Sequence, residues 1–432
     1  MIWLDSADIL YSVHDDKKQG VKHQTELHGD PLMKLRHSIT SLALASTVVL
    51  AVLLTPLASP AASAQALIAG SPSDGLVFSV PSEAGMHMWR ARIADGALQK
   101  LSGVEKREER WPQWSQDAQR LAFIERNTEG VMRANIRLLD VTTGAETGLG
   151  PNPDFIQRSP TWSSDGKSIA YIFRMPSNDS EAGTEAGIAV YDLDKNARQI
   201  IAKIEQTQQR MWTVSYAMNG QSLIAHGQNP KNASDQKLWL LNPKAGPSPL
   251  AKARHGFYGS PRFTRDGSQI VYDYKPSKTR ARTVMVLGLS KDSGAPGRVS
   301  NKPRADEYAA MPSPTRDELV YLSNRDGAPA LFLANLSGGA PAKLSNHPDT
   351  AASSAFWSPD GEKIAYVAVP ADKLNATENK HEGSKVRVID RTGKLLFETA
   401  GVMPNWMPAW TGDQPVAALA KNESPAMQAT AK

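Results

Sequence analysis

Pro160-Thr161-Trp162-Ser163-Ser164-Asp165-Gly166-Lys167-Ser168-Ile169-Ala170-Tyr171-Ile172 reads as a strand end, a tight turn and the start of a second strand. Trp162 closes the first strand and points into a core. Ser-x-Asp-Gly then turns the chain, because Asp bonds nearby backbone and Gly tolerates positive φ. Ile169-Ala-Tyr171-Ile resumes as an apolar strand. The same unit returns as Pro112-Gln-Trp114-Ser-Gln-Asp117, Pro261-Arg-Phe263-Thr-Arg-Asp266-Gly267, Ala355-Phe-Trp357-Ser-Pro-Asp360-Gly361 and Pro408-Ala-Trp410-Thr-Gly-Asp413. Two copies are degraded, Tyr216-Ala-Met-Asn219-Gly220 and Pro312-Ser-Pro314-Thr-Arg-Asp317. The anchor positions are 114, 162, 216, 263, 314, 357 and 410, at gaps of 48, 54, 47, 51, 43 and 53 residues.

An alternating strand follows most copies, as in Ile188-Ala-Val190-Tyr-Asp or Lys237-Leu-Trp239-Leu, and a short fourth, such as Ala342-Lys-Leu344-Ser, ends the unit. Four short strands at a period of about 40 to 50 residues describe one blade of an all-β propeller. The ends of the array are complementary. Leu76-Val-Phe78-Ser-Val80 and Met88-Trp89-Arg-Ala-Arg92 form a hairpin with no anchor before it, and Trp410 has almost no strand after it. A strand over 406–411 is therefore expected to join this hairpin and close a ring of seven four-stranded blades, leaving no free sheet edge. Six blades is the alternative, if the copy at Tyr216 or Pro314 is a long loop.

The Pro-x-Trp-Ser-x-Asp-Gly unit with its Ile-Ala-Tyr strand resembles the WD-like repeat of the TolB-like propeller family, over about Leu76 to Leu419. The resemblance implies a periplasmic propeller that binds partners in the cell envelope. The chain departs from the TolB pattern in one respect. Only 11 residues lie between Ala64 and the first strand, where TolB carries a separate α/β domain.

The N-terminus predicts an address. Met33, Lys34, Arg36 and His37 precede an apolar stretch from Ile39 to Leu54 and an Ala62-Ser63-Ala64 site, the order of a cleaved signal peptide over 33–64. An uncut anchor is the alternative, but the apolar run is short of the ~20 residues a span prefers. Residues 1–32 are polar and read as an extension upstream of the true start at Met33, and 420–432 as a loose tail. The chain has 432 residues, 41% apolar, with no cysteine and a formal charge of +5. Thiolate metal sites and cysteine nucleophiles are excluded, and the thin spread of charge gives no face for nucleic acid.

The residues before each anchor are the candidate site. In a propeller this connection crosses one face towards the central channel, where ligands usually sit. Arg110, Trp111, Arg158, Arg210, Trp212, Tyr258, Tyr308 and Trp406 are expected around one mouth. Arg supplies fork-shaped bonds and the aromatics rigid contact area. The plain alternative is that they plug the channel. The Asp-Gly carboxylates Asp165, Asp266 and Asp360 are read as turn chemistry, since calcium needs several oxygens together. His87, His226, His255, His347 and His381 are scattered, with no ligand spacing. No cofactor, no metal and no catalytic residue is assigned. The Lys275–Arg282 run is read as a solvated hairpin tip. The leading expectation is a non-catalytic envelope scaffold binding a protein, peptide or glycan, with no membrane span after cleavage. The alternative is a periplasmic carbohydrate-active propeller, a lyase or hydrolase.

Overall fold

The computed structural model describes residues 74–408 and 430–431, omitting 84, 103, 105, 128–133, 151–155, 175–184, 219, 221, 251–255, 278–279, 301, 348 and 375–380. The expected signal peptide, the Trp410 motif and most of the tail lie outside the described residues.

The described chain opens with β1 (Gly75–Ser82), β2 (Gly85–Arg92) and β3 (Leu98–Lys100). One plan then repeats six times, four antiparallel strands in sequence order. The first two repeats are β4 (Arg107–Trp114), β5 (Arg120–Asn127), β6 (Ala134–Asp140), β7 (Glu146–Gly148), and β8 (Ile156–Trp162), β9 (Ser168–Arg174), β10 (Ala186–Asp192), β11 (Ala197–Lys203). The next two are β12 (Arg210–Tyr216), β13 (Leu223–Asn229), β14 (Asn232–Asn242), β15 (Gly246–Pro249), and β16 (Phe257–Phe263), β17 (Gln269–Lys275), β18 (Thr283–Gly288), β19 (Gly297–Arg298). The last two are β20 (Glu307–Pro312), β21 (Glu318–Ser323), β22 (Ala330–Asn335), β23 (Ala342–Lys343), and β24 (Thr350–Trp357), β25 (Lys363–Pro370), β26 (Lys385–Asp390), β27 (Leu395–Ala400). β28 (Val402–Trp406) then pairs antiparallel with β1, and β29 (Thr430–Ala431) with β27. These are β-propeller blades in an all-β chain. β2 also touches β4 through the parallel pairs Gly85↔Arg107 and Met86↔Glu108, so that sheet runs β28-β1-β2-β4-β5-β6-β7 with both ends open.

The turns behave as the sequence chemistry requires. Ser163 Oγ donates to Asp165 Oδ1 at 2.6 Å, the Lys167 amide donates to the same oxygen at 3.0 Å, and Gly166 sits at φ 67°. Thr264–Asp266 and Ser358–Asp360 repeat the arrangement at 2.7 and 2.6 Å. The strand that follows buries its aromatic: Phe123, Tyr171, Tyr272, Tyr321 and Tyr366 are at most 1% exposed.

Two anchors differ from the expected ones. Each turn is closed by one backbone bond, Ser115 N to Arg120 O, Ser163 N to Ser168 O or Ser358 N to Lys363 O. In the degraded copy that bond runs from Ser313 N to Glu318 O, so the anchor slot belongs to Pro312 and not Pro314. At the other end Met407 N donates to Gly75 O at 2.9 Å, so Trp406 occupies an anchor slot and the strand beside β1 is 402–406; of the expected strand 406–411, residues 409–411 lie outside the described ones. No turn is needed there, because the second strand comes from the opposite end of the chain.

Indole bonds tie successive leading strands together. Trp162 Nε1 donates to Gln113 O at 3.1 Å, Trp357 Nε1 to Met311 O at 3.0 Å, and Trp406 Nε1 to Phe356 O at 3.0 Å. Each donor is one anchor and each acceptor lies one residue before the preceding anchor, which keeps the strands in step.

Candidate binding face

Short fourth strands leave backbone N–H groups on the third strands without partners, and a buried donor left so costs about 1–3 kcal/mol. The leading strand of the next sheet supplies the acceptors. Glu109 accepts the Met88 amide at 3.0 Å, and Gln157 accepts the Ile136 amide at 2.9 Å while donating to Leu149 O at 2.8 Å. Glu307 lies five residues before its anchor, as Glu109 and Gln157 do, and accepts Ser300 Oγ at 2.9 Å. Burial pushes Glu109 and Glu307 above the ordinary carboxylate range, with Arg107 and Arg325 opposing the shift. Glu109 also bonds Ser102, and Arg107 bridges it to Glu146 at 2.8 Å. These groups hold the sheets together beneath the face.

Just beyond them every leading strand bulges. Arg110 and Gln113 pair with Ile124 and Ala122, so one residue is extra, and the same shift occurs in β8, β16, β20, β24 and β28. Within it Trp111, Ser159, Ser260, Ala309, Ser354 and Met403 all adopt left-handed backbone, φ 44–55°. In β12 the extra residue is Trp212, between Met211↔Gly227 and Thr213↔His226. Left-handed backbone costs a non-glycine residue roughly 1–2 kcal/mol. Only a strong surrounding ladder holds it at the same level in six strands. Small side chains before proline, as in Ser159-Pro160 and Ser260-Pro261, are its one trace in the sequence.

The eight expected site residues divide three ways. Trp111 is half-buried at its bulge and packs on Met86, Val367, Val402 and Met403 on one side and on Ile124, Ala134 and Ile156 on the other. Trp212 is half-buried, with its indole N–H buried and lacking an acceptor. Arg158 and Arg210 are half-buried. They are not at equivalent positions, as expected, because Arg158 immediately precedes its bulge and in β12 that place is taken by Met211. Arg110 is 8% exposed and donates to Glu108 at 3.0 Å.

Tyr258, Tyr308 and Trp406, expected around the mouth, are buried in the core. Tyr258 is 2% exposed in a core with Tyr272 and Tyr274, ring centroids 5.8 and 5.9 Å away. Tyr308 is 2% exposed, with the Arg282 guanidinium 3.6 Å from its ring centroid. Trp406 is the anchor described above, 6% exposed. Arg282 corrects a further reading. It is 7% exposed, not solvated, and its backbone N–H and Nε both reach Asp306 Oδ1, at 2.8 and 3.0 Å.

The histidines stand apart. His87 lies buried in β2, His226 Nε2 in β13 donates to Gln236 Oε1 at 3.0 Å, and His347 is exposed between β23 and β24. His255 lies outside the described residues. Among the described residues no group of three or more His, Asp or Glu is placed to hold a metal ion. Nor is any described helix long and apolar enough to cross a membrane.

No family model matches the chain, and no curated protein sequence matches it. Solved structures do match in fold. A prolyl endopeptidase superposes with a TM-score of 0.59 at 13% identity, covering 76% of this chain and 48% of that one. An oligogalacturonate lyase in complex with manganese gives 0.53 at 14% identity, covering 68% and 82%. TolB from Acinetobacter baumannii gives 0.46 at 14%, covering 78% and 83%. The chain spans about half the length of the prolyl endopeptidase chain, and at these identities the likeness is one of fold.

Proposed function

We propose that this chain is an exported, periplasmic propeller that binds an envelope protein, a peptide or a glycan over the mouth formed by its leading strands, without catalysing a reaction. The observation that carries the reading is the row of bulges. Backbone strain persists where the surrounding structure over-determines it, and bulges re-aim side chains at binding sites. Here they set Trp111, Trp212, Ser159 and Ser260 at one level of successive strands, all half-buried. Arg158 and Arg210 stand beside that level and offer the planar donors that fit carboxylates and sugar hydroxyls.

The reading includes a closed ring of seven blades, with β28, β1, β2 and β3 as the shared blade. Its support is that β28 makes the neighbour bonds of the other leading strands: Trp406 to Phe356 O at 3.0 Å on one side, and Trp114 N to Asn405 Oδ1 at 3.4 Å on the other.

The test is the double variant Arg158→Ala, Arg210→Ala, assayed for capture of partners from envelope extract and for melting. Capture should fall when variant and parent are compared at equal folded fraction. A lowered melting temperature with capture intact would mean that these side chains only fill the channel.

A further inference from the structure

A cavity of about 200 Å³ opens between two successive sheets. One wall is Ala328, Pro329 and Ala330 from the β21–β22 turn and the start of β22, with Ala352 from β24 and Tyr366 from β25. The other side is polar. Asp326 and Lys343 form an ion pair at 3.3 Å across the rim, and Asn346 and His347 follow in the connection to β24. Two hydroxyls complete it. Ser345 Oγ accepts the Leu331 amide at 2.8 Å, and Thr350 Oγ1 accepts Arg387 Nη1 at 3.0 Å, which leaves each hydroxyl proton to donate.

Charge and shape select the ligand. Within the lining Asp326 and Lys343 cancel, and behind Thr350 the Glu398 carboxylate is shared by Arg387 at 2.5 Å and Lys385 at 2.6 Å. Partial desolvation, helped by the Arg387 charge, holds His347 below the usual imidazole range, so it is neutral near pH 7 and can both donate and accept. A site with no net charge gives no advantage to phosphate or to a carboxylate. What it offers is donors and acceptors on one side and a small apolar patch at Ala328 and Pro329 on the other. The volume is below the ~300–1,000 Å³ of sites for drug-sized ligands, which suits one ring. We infer that this inter-blade cavity binds a single uncharged sugar ring, its C–H face on Ala328 and Pro329 and its hydroxyls on Asn346, Asp326 and Thr350. The inference uses none of the mouth residues, so the two readings stand or fall separately.

Ligand-observed saturation-transfer NMR on the whole protein tests it, with glucose, galactose and N-acetylglucosamine as probes and glucuronate and inorganic phosphate as charged controls. At least one neutral sugar should bind with Kd of about 1 mM, a reasonable strength for so few contacts. Two variants at exposed positions locate the binding. Asn346→Ala removes a donor and an acceptor and should weaken it about tenfold. Ala328→Trp fills the cavity and should abolish it, and both should melt like the parent. The inference is overturned if no neutral sugar binds at about ten times that concentration. Binding that survives Ala328→Trp, or a control that binds as tightly as the best neutral sugar, would overturn it equally.

Discussion

Cutting the chain after Gly401 should cost most of its stability, whereas cutting after Pro408 should cost little. The first cut removes β28, whose Val402, Met403 and Trp406 are 2, 5 and 6% exposed. Burying a Val or Met side chain contributes about 2 kcal/mol, and losing a core Trp costs about 3–5 kcal/mol. The sum, about 8 kcal/mol, is an upper figure because unfolded chains already bury some surface. It is still a large share of the ~5–15 kcal/mol that holds a domain together. The cut also bares the edge of β1 and breaks the Met407–Gly75 backbone bond. The second cut keeps all of this and, among the described residues, removes only the pairing of Thr430 and Ala431 with β27. Circular dichroism melting and size exclusion of the two truncations against the parent decide the matter. The companion variant Trp406→Phe isolates the indole bond to Phe356 O and should cost about 1 kcal/mol. If the 401 truncation melts with the parent, β28 does not close the array and the shared-blade reading fails.

Other outcomes follow from single groups. Burial lowers the pKa of His226 to about 4. The unfolded chain therefore takes up this proton from about pH 6.5 downwards while the fold refuses it, so stability should fall by about 3 kcal/mol between pH 6.5 and 4. Urea unfolding across that range should show the slope, and His226→Gln should flatten it. Ser260 sits at φ 44°, so Ser260→Gly should stabilise by about 0.5 kcal/mol once glycine's entropy is set against the relieved strain, read as a raised melting temperature. Exported protein should begin at Gln65 or within two residues of it by N-terminal sequencing, and an uncut chain in the membrane fraction would show an anchor instead.

The repeat was legible because its turn is local chemistry. Ser-x-Asp-Gly makes its bonds within five residues, so the sequence carries the whole instruction, as at Ser163–Ser168. The motif misleads where the local bonds are replaced. Pro408-Ala-Trp410-Thr-Gly-Asp413 matches the consensus better than Asn405-Trp406-Met407, yet Trp406 takes the anchor slot. The choice is made by Gly75 and Phe356, partners far away in the chain. Pro312 was missed for the same kind of reason. Ser313 closes the turn without a Gly, and the nearby Asp317 drew the alignment two residues too far.

The candidate face was harder to read because a bulge reverses the alternation of a strand. Counting back five residues from an anchor should reach the opposite face of the sheet. Instead Glu109, five residues before Trp114, points to the same neighbour: Glu109 takes the Met88 amide, and Trp114 packs on Met88 and Leu101. Tyr258 and Phe263 share one core across the same interval. One residue later the direction changes, and Tyr308 packs with Ala352 and Trp357 of the following sheet. In Phe257-Tyr258-Gly259-Ser260 only the proline that follows Ser260 marks the extra residue, since the bulge is imposed by six neighbouring strands with the same offset. At that level Trp111, Ser159, Trp212 and Ser260 are half-buried while Ala309, Ser354 and Met403 are buried, so the proposed contact with a partner rests on the first four alone.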